Sequence, residues 1–165
     1  MSNTTNKRFL NALLGTTGGF AALALRVPVG IVLAAHGSQK LFGWFGGYGL
    51  EGTGQWMASI GLEPGYLMAL LAGSAEFFGG LALVLGLLTR PAAIVTAFTM
   101  LVAIFSTHIS NGLFLTNNGY EYALSLLAVT VALAIQGAGY FSLDNVLRNK
   151  LVAGKPYSAA AALAH

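Results

Sequence analysis

Four long apolar runs, separated by short polar or glycine-rich breaks, dominate this chain. The first covers residues 19–42 and is interrupted by Arg26, His36 and Lys40. The second covers 66–88 and is interrupted only by Glu76. The third opens on Pro91, a good first-turn residue, and runs to about 109; the fourth covers 120–140, with Glu121 at its start. A spanning helix needs about 20 mostly apolar residues, and the Ala and Leu content favours helix over strand. A helix also satisfies its backbone polar groups within one segment, as hydrocarbon demands. The pattern predicts an all-α integral membrane four-helix bundle. Gly73, Gly79, Gly80 and Gly86 in the second run, with Gly137 and Gly139 in the fourth, would let helix backbones approach closely in lipid.

The breaks between the runs differ in character. Thr89-Arg90-Pro91 reads as a tight turn between the second and third helices. Residues 43–64 are longer and rich in glycine (Gly43, Gly46, Gly47, Gly49, Gly52, Gly54). Within them Thr53 could cap a short helix carrying Trp56, Met57 and Ile60. Trp favours the headgroup level, so this piece is expected to be interfacial, in the first outer loop. Residues 110–119, with Asn111, Asn117 and Asn118, either remain outside or re-enter the membrane edge. The resulting organisation is a polar N-terminal tail, 1–17, a transmembrane domain, 18–147, and a C-terminal tail, 148–165. Lys7 and Arg8 ahead of an apolar stretch mimic a signal peptide. That stretch holds Arg26 and Pro28 and ends at no A-x-A-like site, so the first helix is expected to be retained.

Composition agrees with lipid as the solvent. Of 165 residues 56% are hydrophobic and 8% charged, with a mean hydropathy of +0.72. A soluble domain carries roughly 25% charged residues to cover its surface. The chain has no cysteine, which excludes disulfides, thiolate catalysis and Cys-based metal or Fe–S sites within it. The net charge of +3 is a topology signal rather than a nucleic-acid footprint. With four crossings, both termini and the Arg90 turn share one side, together with Lys7, Arg8, Arg148, Lys150 and Lys155. The other side carries Lys40 with Glu51, Glu63 and Glu121. Basic residues near helix ends mark the cytoplasmic side, so both termini are expected there.

Polar groups at membrane depth cost a few kcal/mol or more unless paired, which makes Arg26, His36, Lys40, Glu76, His108 and Glu121 the informative residues. A helical rise of about 1.5 Å per residue puts His36 about 9 Å, Glu76 about 15 Å and Arg26 about 24 Å below the outer surface. Lys40, His108 and Glu121 fall near that surface, so the set reads as a descending column. His36 and Lys40, four apart, share a helix face. For Glu76 three readings compete: an ion pair with Arg26, a proton-carrying or ligand-binding carboxylate facing a cavity, or a protonated acid in a dry site. His36 and His108 also admit a bis-His haem, or a metal site completed by Glu121. The aromatic residues Trp44, Tyr48, Trp56, Tyr66, Tyr120 and Tyr122 form an interfacial belt or line a site for a flat ring.

The order of these motifs resembles the DoxX family. The resemblance rests on Leu25-Arg26 through Gly30 and on His36-Gly37-Ser38-Gln39-Lys40-Leu41-Phe42-Gly43. It continues through Gly49-Leu50-Glu51-Gly52-Thr53, Ala75-Glu76-Phe77-Phe78-Gly79-Gly80 and Leu87-Leu88-Thr89-Arg90. His108 with Asn111-Gly112-Leu113-Phe114, Gly119-Tyr120-Glu121-Tyr122 and Ser142-Leu143-Asp144 complete it. Together these pieces cover about residues 23–147. The resemblance implies a four-helix inner-membrane protein of the kind that includes the small subunit of a thiosulfate:quinone oxidoreductase. Other members of the family are linked to quinone or catechol stress and to thiol-redox complexes.

The expected function is therefore a membrane redox component, a candidate quinone-linked oxidoreductase subunit, that binds a quinone or similar molecule in a polar pocket near the outer face. Glu76 and Glu121 would handle protons, and Arg26, His36, Lys40 and His108 would complete the ligand-binding set. The alternatives are a non-catalytic anchor or assembly partner for an oxidoreductase, a haem- or metal-binding subunit, and a small-solute carrier. The expected partners are the bilayer, a redox protein and further copies of the chain, with no nucleic acid.

Overall fold

The computed structural model describes residues 2–153; Lys155 and the remainder of the expected C-terminal tail lie outside the described residues. All regular structure among them is helical. Seven α-helices follow in order: α1 (Ser2–Leu14), α2 (Phe20–Phe42), α3 (Gly49–Ser59), α4 (Gly65–Leu85), α5 (Thr89–Ala103), α6 (Glu121–Gln136) and α7 (Leu143–Arg148). A π-helical turn, Ile104–His108, and a 3₁₀ turn, Ile109–Asn111, prolong α5.

Three of these helical stretches are long and apolar enough to cross a membrane: Phe20–Phe42, Gly65–Leu85 and Thr89–Asn111. The fourth apolar helix, α6, has 16 residues, about 24 Å of rise. It stops at Gln136, short of the expected 140, because Gly137 takes a φ of 81° and turns the chain away. Similarly α4 ends at Leu85, where Gly86 adopts the left-handed conformation that closes a helix C-terminus. The turn after the second apolar run is therefore Gly86–Leu88 rather than Thr89-Arg90-Pro91. Those three residues form the first turn of α5, where proline's missing N–H costs nothing.

The pairing order is α2 on α4, α4 on α5, α5 on α6, with α6 returning to α2 and α3 lying on α4. The shared core includes Ala22, Leu33, Leu83, Met100, Ile104 and Leu133. The α2–α4 contact is the tightest, and glycine makes it so. A Cβ at Gly30 would sit 2.7 Å from the Gly80 carbonyl oxygen, and one at Gly37 would run into the backbone at Phe77 and Gly73. Lipid offers helices no hydrophobic incentive to associate, so close backbone packing of this kind supplies the attraction.

Two sequence expectations outside the spans change. The segment 2–14, expected as a polar tail, is helical and packs against α5, α7 and the π-helical turn Asn149–Ala153. The helix carrying Trp56 and Met57 begins at Gly49, so Thr53 is an internal residue and caps nothing.

Candidate functional site

His36, Gln39 and Lys40 stand on one face of the last turns of α2, at i, i+3 and i+4. Glu76 faces them from the middle of α4, with Lys40 Nζ 2.6 Å from Glu76 Oε2. The Glu76 side chain is 5% exposed and that of Lys40 23%. The glycine contact brings them together: Gly73, one turn before Glu76, leaves room for Leu41 and for the Lys40 Cβ, and Gly37 lets the Phe77 backbone close in. A carboxylate in the middle of an apolar helix needs a partner, and its partner is Lys40.

This corrects the expected column. Arg26 does not pair with Glu76. Its guanidinium, 1% exposed, lies at the opposite end of the bundle and donates to backbone carbonyls. Nε donates to Ala138 (2.9 Å), Nη1 to Leu83 (3.0 Å) and Val84, and Nη2 to Tyr140 (3.2 Å) and Phe141 (2.7 Å). Helix C-termini present unpaired carbonyls, and α4 ends beside Arg26. Among the described residues Arg26 therefore belongs to a structural knot, and the polar groups fall into two separate clusters.

The Lys40–Glu76 pair lies between two spaces. Outside it is a cavity of about 660 Å³, lined by His36, Gln39, Lys40, Gly46, Gly47, Tyr48, Gly52, Thr53, Trp56 and Asn118. Inside it is a smaller pocket of about 90 Å³, lined by Leu33, His36, Lys40, Glu76, Met100, Tyr122, Ala123 and Leu126. His36 and Lys40 border both spaces. The His36 ring lies 6.0 Å from the Tyr122 ring, tilted by 56°. Lys40 is the one charged residue on the outer cavity, and Glu76 stands behind it.

Glycine shapes the outer wall. Gln39 Nε2 donates to the Phe45 carbonyl (3.2 Å) across the 3₁₀ turn Trp44–Gly46. Gly47 then passes so close to the Gln39 backbone that any side chain would collide with it. These contacts fold the segment after α2 back over the helix end and leave Tyr48 (83% exposed) and Trp56 at the rim.

His108 and Glu121 serve the neighbouring loop and do not line either space. His108 Nδ1 lies 2.8 Å from the Asn118 carbonyl, which also accepts from Asn111 Nδ2 at 3.2 Å. Glu121 Oε1 accepts from the Leu115 backbone N–H at 2.6 Å. Their effect is to hold Asn118, in a left-handed conformation with φ of 60°, at the cavity wall. The expected metal site of His36, His108 and Glu121 is not assembled: among the described residues no three His, Cys, Asp or Glu side chains are grouped to hold an ion. The bis-His haem reading likewise finds one histidine on the cavity, because His108 is turned to the loop. Sequence reasoning missed Gln39 and Asn118. The i, i+3, i+4 spacing from His36 could have drawn attention to Gln39, and nothing local distinguishes Asn118 from its neighbours. Tyr122, one of the aromatic residues read as an interfacial belt or as the lining of a ring site, lies on the inner pocket.

The sequence model of the DoxX family matches residues 21–109, the stretch that carries His36, Lys40 and Glu76. The chain belongs to the DoxX family. Among its relatives is the protein named "Putative oxidoreductase CatD" of Bacillus subtilis (strain 168). It is 34% identical over 122 residues, an alignment covering 74% of this chain and 83% of that protein. The protein named "Inner membrane protein YqjF" of Escherichia coli (strain K12) is 36% identical over 131 residues, covering 74% of this chain and 95% of that protein. No solved structure matches this DoxX chain.

Proposed function

We propose that this DoxX protein is a bacterial inner-membrane component of a redox system that binds a quinone or similar flat, oxygen-bearing molecule in the cavity above Lys40 and Glu76. The observation that carries the reading is the ion pair itself. A buried carboxylate held 2.6 Å from an ammonium, with that ammonium on the wall of a 660 Å³ cavity, is a costly arrangement in an apolar bundle. The volume falls in the range of small-molecule sites, which pair apolar walls with a few placed polar groups. Lys40 and His36 would hold a ligand oxygen, Trp56 and Tyr48 would flank the ring, and Glu76, behind Lys40, would exchange through Lys40 the proton that accompanies reduction or oxidation. Electrons would come from a partner protein, a substrate or a bound cofactor, since the chain has no cysteine. The oxidoreductase name of the CatD relative and the inner-membrane name of the YqjF relative agree with this placement.

The test uses the two tryptophans of the chain, Trp44 and Trp56, as local reporters. Titrating the purified protein in nanodiscs with a short-chain ubiquinone is expected to quench their fluorescence saturably. His36→Ala, which removes a hydrogen bond to the ligand, and Glu76→Gln, which loosens Lys40 from its partner, are each expected to weaken binding about tenfold. Unchanged affinity in both variants would sink the reading. A second reading, a non-catalytic anchor for a redox enzyme, is favoured by the exposed aromatic rings of Phe45 and Phe114, on the two loops that supply Gly46 and Asn118 to the cavity wall. Copurification of a stoichiometric soluble subunit, with no quenching by quinone, would select it.

The proposed topology has four crossings by α2, α4, α5 and α6, with both termini cytoplasmic, α3 interfacial and the cavity periplasmic. The short α6 would be accommodated by local thinning and by the segment that follows it. A cysteine-free chain makes the check clean. Ser59→Cys is expected to react with an impermeant maleimide in intact spheroplasts, and Asn6→Cys only after lysis. The reverse pattern would invert the model.

A further inference from the structure

The end of the bundle opposite the cavity carries a charge imbalance that the redox reading does not use. Lys7 and Arg8 on α1 and Lys150 after α7 are exposed. Arg90 and Arg148 stand beside them. Arg90 Nε donates to the Gly15 carbonyl at 3.1 Å, and Arg148 Nε donates to Asn11 Oδ1 at 3.1 Å, so both fasten α1 to the bundle. Among the described residues no exposed carboxylate answers these cations. The chain has five acidic residues; four belong to the cavity half, and the fifth, Asp144, is 1% exposed and accepts from the Leu88 and Thr89 N–H groups at 2.7 and 2.9 Å. The Lys40–Glu76 contact is the one ion pair among the described residues.

The same end is also apolar in a particular way. On α1, Leu10, Leu13 and Leu14 turn towards the bundle, with Leu14 fully buried, while Phe9 at the edge of that apolar arc is 63% exposed. Leu151, next to Lys150, is exposed as well. Five residues separate α1 from α2, and they are pinned: the Thr17 N–H donates to the Gln136 carbonyl at 2.9 Å, and Arg90 holds Gly15. Helix α1 cannot swing away from the level at which α2 and α6 leave the bilayer. A basic, amphipathic helix held at that level, with an exposed Phe beside exposed Lys and Arg, matches a helix lying in the headgroup layer. A soluble acidic partner would answer the charge but not the exposed Phe9 and Leu151.

We propose that this basic end is a binding surface for anionic phospholipid headgroups, with α1 lying in the plane of the membrane surface. The inference rests on α2 and α6 spanning the bilayer; it does not depend on what the outer cavity binds. The experiment is native mass spectrometry of the full chain released from nanodiscs made of equal parts phosphatidylglycerol and phosphatidylcholine. Wild type is expected to retain phosphatidylglycerol preferentially, and raised salt during preparation is expected to reduce the preference. The variant Lys7→Gln/Arg8→Gln/Lys150→Gln touches only exposed side chains. It is expected to lose the preference, by about fivefold for each charge removed. Equal retention of the two lipids by wild type overturns the proposal, as does an undiminished preference in the variant. Saturable quinone quenching in that variant, read alongside, keeps a failure here separate from a failure of the redox reading.

Discussion

Methionine in place of Arg26 is expected to leave a chain that inserts but does not hold together. The guanidinium satisfies five carbonyls from two distant parts of the chain: Leu83 and Val84 in the last turn of α4, and Ala138, Tyr140 and Phe141 in the segment between α6 and α7. Arg26 is 1% exposed, and its contacts with Ala138 and Leu83 are buried while those with Val84, Tyr140 and Phe141 are part-buried, so little water stands ready to replace it, although the Leu83 carbonyl keeps the Gly86 N–H as a donor. One orphaned buried acceptor costs about 1–3 kcal/mol. With five involved, and part of the loss recovered by relaxation, the expected destabilisation is about 4 kcal/mol or more, at the extreme of single substitutions. The measurement is thermal unfolding in mild detergent, followed by size-exclusion chromatography. An Arg26→Lys chain separates charge from geometry. Lysine has three donors in place of a planar five-donor fork, so its melting temperature should fall between those of wild type and Arg26→Met. A methionine variant that melts like wild type would remove the knot from any account of this fold. The neighbourhood leaves little room for repair. Gly86 combines a φ of 63° with a position where a Cβ would meet the Ser142 side chain and lie 3.0 Å from the guanidinium carbon.

Arg26 also shows where sequence reasoning stops. Hydropathy located all four apolar helices, because the bilayer imposes a length and a composition that few other structures share. It flagged Arg26 and Glu76 as residues that must be compensated. It could not name the compensation, since the favoured partner for a buried arginine is a carboxylate and the actual partners are backbone carbonyls. Carbonyls leave no mark in a sequence. The helix ends were misplaced as well: Gly86 and Gly137, read as close-packing residues inside runs reaching 88 and 140, end α4 and α6 with a positive φ. Rise per residue strung Lys40, His36, Glu76 and Arg26 along one column, with Glu76 nearer in depth to Arg26 than to its actual partner Lys40, and it could not say that His108 and Glu121 turn aside to hold a loop. That choice depends on the path of residues 109–120, where the Asn118 backbone supplies the acceptor for His108. The helical segment 2–14 was hidden for a different reason. Its polar, Asn- and Thr-rich start has weak intrinsic helix preference, and its helicity comes with packing of Leu10, Leu13 and Leu14 on the bundle.

The largest functional effect is expected at the Lys40–Glu76 pair, and it should appear as a non-additive cycle. Lys40→Met leaves the Glu76 carboxylate at the same depth with no cation, and Glu76→Leu leaves Lys40 facing an apolar wall. Breaking a buried pair from one side costs about 3–5 kcal/mol. The Lys40 side chain is 23% exposed and can turn into the cavity, so the lysine-first loss should be the larger of the two. The double variant Lys40→Met/Glu76→Leu removes both charges and their desolvation cost together. It should recover most of the stability, to within about 1 kcal/mol of wild type. Thermal unfolding of the four proteins in one detergent gives the coupling directly. A double variant as unstable as the sum of the singles would mean that the two residues do not act as a unit. Stability alone cannot tell a structural staple from a site, because both lose and regain it in the same way. Quinone quenching supplies the second axis. If the pair serves the cavity, the double variant should be stable and yet fail to bind, with affinity reduced at least tenfold. If the pair were only a staple between α2 and α4, the same variant would bind as wild type does. A well-packed hydrophobic pair at this position would then be at least as stable as the charged one. The proposed site therefore predicts a double variant that keeps its fold and loses its ligand, because the lysine would serve the cavity more than the helix contact.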